Sequence, residues 1–346
     1  MNKAYKCHIF FLVIFLFWID LSARNFSFYL KSEINYDNNI YENIDSSISS
    51  YGEQFWTGIK WQKRTNKHFF NFNLKSNFSC YNKYRNENKL INILNADYLY
   101  QPVKEIYLQT TISGFNKNWT QINRGYHIIG MTENLSYQKK LITLQLNLSA
   151  MKRDYYNYEQ FDNHNYGSDL QLNYNPGSNW LYYLNIGWEN FVFPAGKFYD
   201  DSLNVILDKK RNDQRNKITI GFETSKKILL GGAIIYQYTD SNYEYLANRN
   251  LGLRIYGSAR VSSIYIQLIL QSRIKKYILS SEIDNIFYNP DPEHNQQNKV
   301  MLGLEYNLTD NFSLTSKFAW YHNESTYISR YYEKMILSAG LQYNFR

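Results

Sequence analysis

The sequence is poor in the residues that staple or interrupt small soluble folds. It contains 2 cysteines and 5 prolines in 346 residues. Cys7 precedes the N-terminal apolar run, so removal of that segment would leave Cys80 alone and exclude an internal disulfide. After the N-terminal segment, the longest apolar stretch runs from Ile228 to Tyr236 and contains Gly231 and Gly232. It is well short of the roughly 20 residues of a membrane-spanning helix, so backbone pairing and packing must stabilise the chain.

The N-terminal segment has the pattern of a secretory signal peptide. Lys3 and Lys6 precede an apolar run from Ile9 to Ile19, and the small residue Ala23 follows shortly after it. A membrane anchor is the alternative, but the apolar run is too short to cross a bilayer as a helix. We therefore expect residues 1–23 to be a signal peptide and residues 24–346 to form one domain of an exported protein.

Charge and motifs exclude several classes of function. The formal net charge is +8, but the basic residues are scattered without a dense patch or helical stripe, which argues against a nucleic-acid partner. No phosphate-binding glycine loop, zinc pattern or nucleotide motif is present, and we predict no cofactor and no metal. The carboxylates of Asp200, Asp201, Asp208, Asp291 and Glu293 lack the spacing of a calcium loop.

A catalytic function would require histidines with partners. A lipid hydrolase built on a barrel needs an outward-facing serine and histidine oriented by a third polar group. His127 and His322 are expected near the ends of strands, without a serine or carboxylate neighbour at strand spacing. The sequence therefore predicts that the protein is not an enzyme.

What the sequence has in abundance is alternation. It contains 34 tyrosines and 18% aromatic residues, and apolar residues recur at every second position, which is the period of a strand with two different faces. Ile142, Leu144, Leu146 and Leu148 alternate with polar residues in one such segment. The pattern predicts about 16 strands, within a range of roughly 14 to 18. They are expected near residues 26–36, 50–63, 68–80, 89–100, 105–115, 125–137, 141–151, 167–175, 180–190, 216–225, 228–238, 250–258, 262–272, 298–308, 311–322 and 332–346.

The predicted connections alternate between short and long. Short turns are expected at residues 65–67, 101–102, 138–139, 175–178, 225–226, 259–260 and 309–310, with longer polar connections between them. This rhythm is typical of an antiparallel up-and-down barrel of the bacterial outer membrane, with tight periplasmic turns, extended external loops and both termini periplasmic. A soluble β-sandwich or propeller also alternates, but it predicts neither a signal peptide nor this rhythm. The predicted fold is therefore an all-β transmembrane barrel surrounded by outer-membrane lipid, in which the first strand pairs with the last.

Aromatic residues on the apolar parity are expected to form girdles at the two membrane interfaces. The candidates on the periplasmic side are Trp61, Tyr98, Tyr100, Trp180, Tyr306, Tyr343 and Phe345. The candidates on the outer side are Trp188, Tyr238 and Trp320.

The last strand ends Leu341-Gln342-Tyr343-Asn344-Phe345-Arg346, which resembles the closing strand of bacterial outer-membrane β-barrel proteins of the porin-like kind. The resemblance implies that the barrel-assembly machinery reads this strand, although here Phe345 is followed by Arg346. The stretch from Asn323 to Phe345 is also loosely similar to closing hairpins of barrels that export polysaccharide or surface lipoproteins.

The opposite parity defines a predicted lumen with charges of both signs. The candidate lumen-lining charges are Lys60, Lys75, Asp97, Asp169, Glu189, Lys217, Glu223, Arg254, Glu305 and Lys317. A barrel of this size is wide enough for an aqueous passage unless a loop folds inward, and charges facing one another across it would orient polar solutes. The longest connections, 191–215 and 273–297, are the candidates to enter the lumen or bind a partner, and the Tyr-rich connection from Lys152 to Tyr166 suits contacts with sugars.

Three functions fit these features. The first is a porin-like channel for passive diffusion of small hydrophilic solutes. The others are a structural or surface-interaction barrel that binds through its external loops, and a barrel subunit of a polysaccharide or lipoprotein exporter. The sequence leaves the solute and the oligomeric state open.

Overall fold

The computed structural model describes residues 25–40, 48–122, 124–157, 159–177, 179–195, 198–199, 205–207, 210–242, 247–278, 298–323 and 332–345. The predicted signal peptide, residues 1–23, lies outside this described part of the chain. So do the carboxylates weighed above as calcium ligands and most of the connection 273–297.

Sixteen strands form one closed antiparallel barrel in which each strand pairs with its neighbours along the chain. The strands are β1 (Phe26–Asp37), β2 (Ser50–Arg64), β3 (His68–Tyr81), β4 (Lys89–Val103), β5 (Ile106–Trp119), β6 (Gly125–Lys139), β7 (Ile142–Tyr155), β8 (Asn163–Tyr174), β9 (Trp180–Val192), β12 (Asn212–Ser225), β13 (Ile228–Ser241), β14 (Asn248–Val261), β15 (Ile264–Tyr277), β16 (Asn298–Asn307), β17 (Phe312–Asn323) and β18 (Tyr332–Phe345). The predicted fold class and strand number are confirmed. No helix among the described residues is long and apolar enough to span a membrane.

The connection between β9 and β12 contains strands that the sequence did not predict. β10 (Phe198–Tyr199) and β11 (Val205–Leu207) pair with each other in a separate two-stranded sheet. Single turns of 3-10 helix lie at Arg85–Glu87, between β3 and β4, and at Glu159–Phe161, between β7 and β8.

The alternation separates an apolar outer face from a polar inner face. On β7, Ile142, Leu144, Leu146 and Leu148 are all exposed, although they are large and apolar. Their cross-strand partners on β6 include Leu135 and Tyr137, on the same face. A closed sheet of this kind presents its apolar parity outward and its polar parity to the lumen.

The barrel closes where β1 pairs with β18, with Phe28 opposite Phe345 at one end and Asp37 opposite Ile336 at the other. Near the second end, the Lys334 Nζ lies 3.1 Å from the Asp37 Oδ2, and both side chains are almost fully buried. The Asn39 Nδ2 donates to the Glu333 carbonyl oxygen at 2.9 Å. The closing seam thus carries a buried ion pair as well as its backbone ladder.

The short turns all lie at one end of the barrel, where β1 begins and β18 ends. Three of them lie two or three residues later in the chain than predicted, at residues 104–105, 140–141 and 262–263. Lys140 and Ser262 adopt positive φ angles of 51° and 56°, so these two-residue turns form without the glycine or asparagine that marks such turns in a sequence. Pro102 remains within β4, at a register shift between Tyr100 and Val103, where a strand tolerates proline.

At the other end, the strands extend farther than predicted because polar residues continue the backbone ladders. β5 ends at Trp119 instead of residue 115, and β7 ends at Tyr155 instead of residue 151. β8 begins at Asn163 instead of residue 167, and β12 begins at Asn212 instead of residue 216. We call the two ends of the barrel the turn end and the loop end.

Candidate functional site: the lumen

Every predicted lumen charge lies on the parity opposite the exposed apolar residues, so each side chain belongs to the inner wall. The register brings Lys60 and Lys75 together on β2 and β3, with Asp97 on β4 close by. It places Asp169, Glu189 and Lys217 on the adjacent strands β8, β9 and β12, respectively. Arg254, Glu305 and Lys317 lie on β14, β16 and β17. Their roles in transport stay predictions.

Most of the predicted acidic residues are engaged by neighbours on their own wall. The Glu189 Oε2 lies 2.9 Å from the Arg215 Nη1, and these residues are directly opposite each other on β9 and β12. The Asp97 carboxylate accepts from the Asn71 Nδ2 at 2.7 Å and from the Thr111 Oγ1 at 2.8 Å. Engagement of this kind reduces the negative field that these groups project across the lumen.

Glycines on the inner wall allow long side chains to lie flat along it. Tyr256 on β14 lies over Gly231, where a Cβ would overlap its ring. In this position the Tyr256 hydroxyl donates to the Glu223 Oε2 at 2.7 Å. Asp169 similarly lies over Gly187, the residue that separates it from Lys217 in the ladder.

One sector of the inner wall is rich in amides and hydroxyls, and Lys140 in the adjoining turn is the charged residue beside it. The sector lines a cavity of about 680 Å³ next to the turn end. The Asn134 Nδ2 donates to the Asn147 Oδ1 at 2.5 Å, and the Ser136 Oγ donates to the Asn134 Oδ1 at 2.6 Å. Such chains of amides present donors and acceptors to polar solutes without a net charge.

Near the loop end, the inner wall carries an aromatic cluster that the sequence did not predict. The ring of Tyr126, 2% exposed, lies 5.4 Å from Phe115 and 5.3 Å from Tyr155. Phe161, in the 3-10 turn after β7, packs on Tyr155 at 6.1 Å. The cluster brings part of the Tyr-rich connection onto its own barrel wall, so these rings make intramolecular contacts. The signal in the sequence that could have indicated the cluster is Ile93 on β4, which is apolar on the inward parity and lies directly opposite Phe115.

Asp162 follows this turn and lies outside the membrane-spanning part of β8. Its Oδ1 accepts a hydrogen bond from the Tyr155 backbone N–H at 2.6 Å. Burial raises the pKa of the Asp162 carboxyl, and the nearby Asp154 and Glu159 add to the rise. Because this pKa is raised in the packed connection, lowering the pH through it favours the packed form.

All predicted girdle residues lie on the outward parity, and they form two groups at opposite ends of the barrel. Those of the turn end are Trp61, Tyr98, Tyr100, Trp180, Tyr306, Tyr343 and Phe345, and those toward the loop end are Trp188, Tyr238 and Trp320. At the turn end, the rings of Tyr343 and Phe345 lie 4.4 Å apart and Phe345 packs on Phe28 at 5.4 Å. Their contact with lipid stays a prediction.

The expectation that His127 and His322 lack a carboxylate neighbour was wrong for both, and His322 lies directly opposite Glu333 on β18. His127 lies opposite Asp154 on the outward face, and its Nε2 is 2.9 Å from the Asp154 Oδ2. The sequence missed this carboxylate because β7 extends beyond its predicted end. The other cross-strand neighbour of His127 is Asn116, so neither partner carries a hydroxyl nucleophile. Among the described residues, no group of three or more His, Cys, Asp and Glu side chains is suited to hold a metal ion.

Comparison with known proteins identifies the fold alone. No protein-family model matches the sequence, and no curated protein matches it. The structure is similar to Salmonella typhi OmpF in its complex with daunomycin, with 9% identity over 93% of this chain and 98% of that chain and a TM-score of 0.53. It is also similar to in-vitro folded OmpT, an outer membrane protein of Vibrio cholerae, with 9% identity over 93% and 97% of the two chains and a TM-score of 0.50. The resemblance to bacterial outer-membrane β-barrels is thus confirmed at the level of fold.

Proposed function

We propose that this chain is an outer-membrane channel through which small hydrophilic solutes diffuse passively. The observation that carries the proposal is the closed barrel of 16 strands with a polar inner wall and an apolar outer face. Barrels of this size enclose an aqueous passage when no element fills them. The amide-rich sector and the charged sectors of the wall both suit water and polar solutes.

The test is conductance of the purified protein in planar lipid bilayers. We expect discrete current steps, and neutral sugars of increasing size should reduce the current until they no longer enter. Asn134→Trp places a bulky ring on the inner wall and should lower the conductance, whereas Leu135→Trp, on the outward parity of the same strand, should leave it unchanged. Absence of conductance at every voltage and salt concentration, or equal effects of the two variants, would contradict the proposal.

We further propose that the turn end faces the periplasm and that residues 1–23 direct export. This orientation follows the pattern of outer-membrane barrels, which have short periplasmic turns. In a Cys80→Ser background, a cysteine replacing Lys83 at the loop end should react with a membrane-impermeant maleimide on intact cells. A cysteine replacing Asn66 at the turn end should react only after lysis. The reverse labelling pattern would contradict the orientation.

A further inference from the structure

Three basic residues converge on one sector of the inner wall. Gln271 on β15 lies directly opposite Arg254 on β14 and also directly opposite Lys299 on β16. Arg273 follows Gln271 by two residues and therefore points to the same face. With strands about 4.8 Å apart, the three basic residues start within about 10 Å of one another. We call Arg254, Arg273 and Lys299 the basic cluster.

The side chains of the basic cluster can approach one another on the inner wall. Arg273 lies opposite Gly252, and the position of a Cβ there would be 3.1 Å from the Arg273 Cγ. The glycine therefore lets the Arg273 side chain lie along the wall. Arg254 is exposed to the lumen, whereas Arg273 and Lys299 are partly buried. Arginine and lysine stems can reach about 6 Å from the backbone, so the three cationic groups can contact one small anion.

The charges of the basic cluster are not balanced by the described residues around them. Within that part of the chain, no carboxylate lies in ion-pair distance of Arg254, Arg273 or Lys299. The buried Arg273 Nε also has no hydrogen-bond partner there. Arg254 instead repels both other members. Like charges held this close are stabilised by a bound anion.

The nearby acidic residues form no ion pair with the basic cluster. The Glu223 carboxylate accepts from the Tyr256 hydroxyl, and Glu189 is paired with Arg215. The unbalanced positive charge is therefore local to β14, β15 and β16. This distinguishes the cluster from Lys31 and Lys334, which have Glu33 and Asp37 as partners.

We infer that the basic cluster is an anion-binding site in the lumen that makes the channel anion-selective and favours solutes bearing phosphate or carboxylate groups. The inference rests on the proposed channel function. Guanidinium groups bind such oxyanions through paired, charge-assisted hydrogen bonds. A chloride ion that passes the cluster is stabilised mainly by charge attraction, whereas an oxyanion is stabilised in addition by hydrogen bonds from Arg254 and Arg273.

The test compares two triple variants with the same loss of charge. Arg254→Gln/Arg273→Gln/Lys299→Gln removes the basic cluster from the inner wall. Lys63→Gln/Lys152→Gln/Arg249→Gln removes three exposed charges from the outward parity. Reversal potentials in a KCl gradient measure the ratio of chloride to potassium permeability. Inorganic phosphate added at low concentration should reduce the chloride current if it binds in the lumen.

The unaltered channel should prefer chloride and be blocked by phosphate. Each removed cluster charge should lower the chloride permeability and raise the potassium permeability by about 2.7-fold each in dilute salt, as expected for a charge about 7 Å from the passing ion in water. The permeability ratio should therefore fall by about sevenfold for each charge removed. Phosphate block should disappear in the cluster variant, and the outward variant should behave like the unaltered protein. A channel that prefers potassium, or a cluster variant that keeps both properties, would overturn the inference.

A binding measurement separates this inference from the proposed function. Calorimetric titration of the detergent-solubilised barrel with phosphate requires no conductance. Phosphate binding that is lost in the cluster variant, in a protein without conductance, would refute the channel and retain the site. Conductance without phosphate binding and without anion preference would refute the site and retain the channel.

Discussion

The buried ion pair at the barrel seam leads to a quantitative prediction about closure. The Asp37 and Lys334 side chains are 1% and 2% exposed, and their charged atoms are 3.1 Å apart. At an effective dielectric constant of about 20, this separation corresponds to about 5 kcal/mol of attraction. Lys334→Met would leave the Asp37 carboxylate buried without its cation, so we expect the free energy of unfolding to fall by about 3–5 kcal/mol.

The prediction can be checked by denaturant unfolding of the barrel in lipid vesicles. The matched control is Lys31→Met, which removes the partner of Glu33 on the same seam. Lys31 is 22% exposed, and Lys317 remains near Glu33. Glu33 is 7% exposed but keeps this second cation, so the loss of Lys31 should cost less than the loss of Lys334, about 1–2 kcal/mol.

The double variant Asp37→Asn/Lys334→Met tests the reasoning itself. It removes both charges, so most of the lost stability should return. If Lys334→Met costs less than about 1 kcal/mol, or if the double variant is as unstable as the sum of the single variants, the ion pair does not stabilise the seam.

Three further predictions concern the wall and its turns. In Gly58→Leu, the new side chain would collide with the Tyr29 ring that lies over this glycine, so the free energy of unfolding in vesicles should fall by about 1–3 kcal/mol. Adding Tyr29→Ala should restore the stability, and a lack of rescue would refute the contact. Lys140 has a positive φ, which a β-branched residue disfavours and asparagine tolerates. Lys140→Val should therefore lower the free energy of unfolding by about 1–2 kcal/mol, whereas Lys140→Asn should leave it nearly unchanged. Equal stabilities of the two variants would contradict the assigned turn. Tyr256→Phe removes the hydrogen bond to Glu223 and releases this carboxylate into the lumen. The reversal potential should then shift in the direction of higher cation selectivity. An unchanged reversal potential would show that the hydrogen bond does not reduce the effect of the Glu223 charge.

Alternation alone was enough to predict the barrel wall. A residue pattern of period two specifies which face of each strand is apolar, and this holds whatever the neighbouring strand is. The outward parity of Trp61 and Trp180 and the inward parity of Lys75 and Arg254 are read directly from it. The positions of strand ends were less certain, because turns such as 140–141 lack glycine and the loop-end strands carry polar residues on both faces.

Register could not be predicted, and it decided which charges meet. Arg215 and Arg273 lie just beyond the predicted strand ends at 216 and 272, so neither was among the candidate lumen charges. Lys299 lay inside a predicted strand on the inward parity, next to the predicted strand of Gln271, but the sequence did not indicate that the two residues lie directly opposite each other. The His127–Asp154 pair was missed because Asp154 lies beyond the predicted end of β7.

The sequence by itself therefore determined the class of fold, the approximate number of strands and the polarity of each face, because these depend on local periodicity. Only the tertiary structure decided the closing seam with its Asp37–Lys334 pair, the pairing of the lumen acids and the grouping of Arg254, Arg273 and Lys299. These depend on which residues become neighbours across strands. The physical reason is that a ladder of backbone hydrogen bonds connects residues that are far apart in the chain, and no local pattern encodes their alignment.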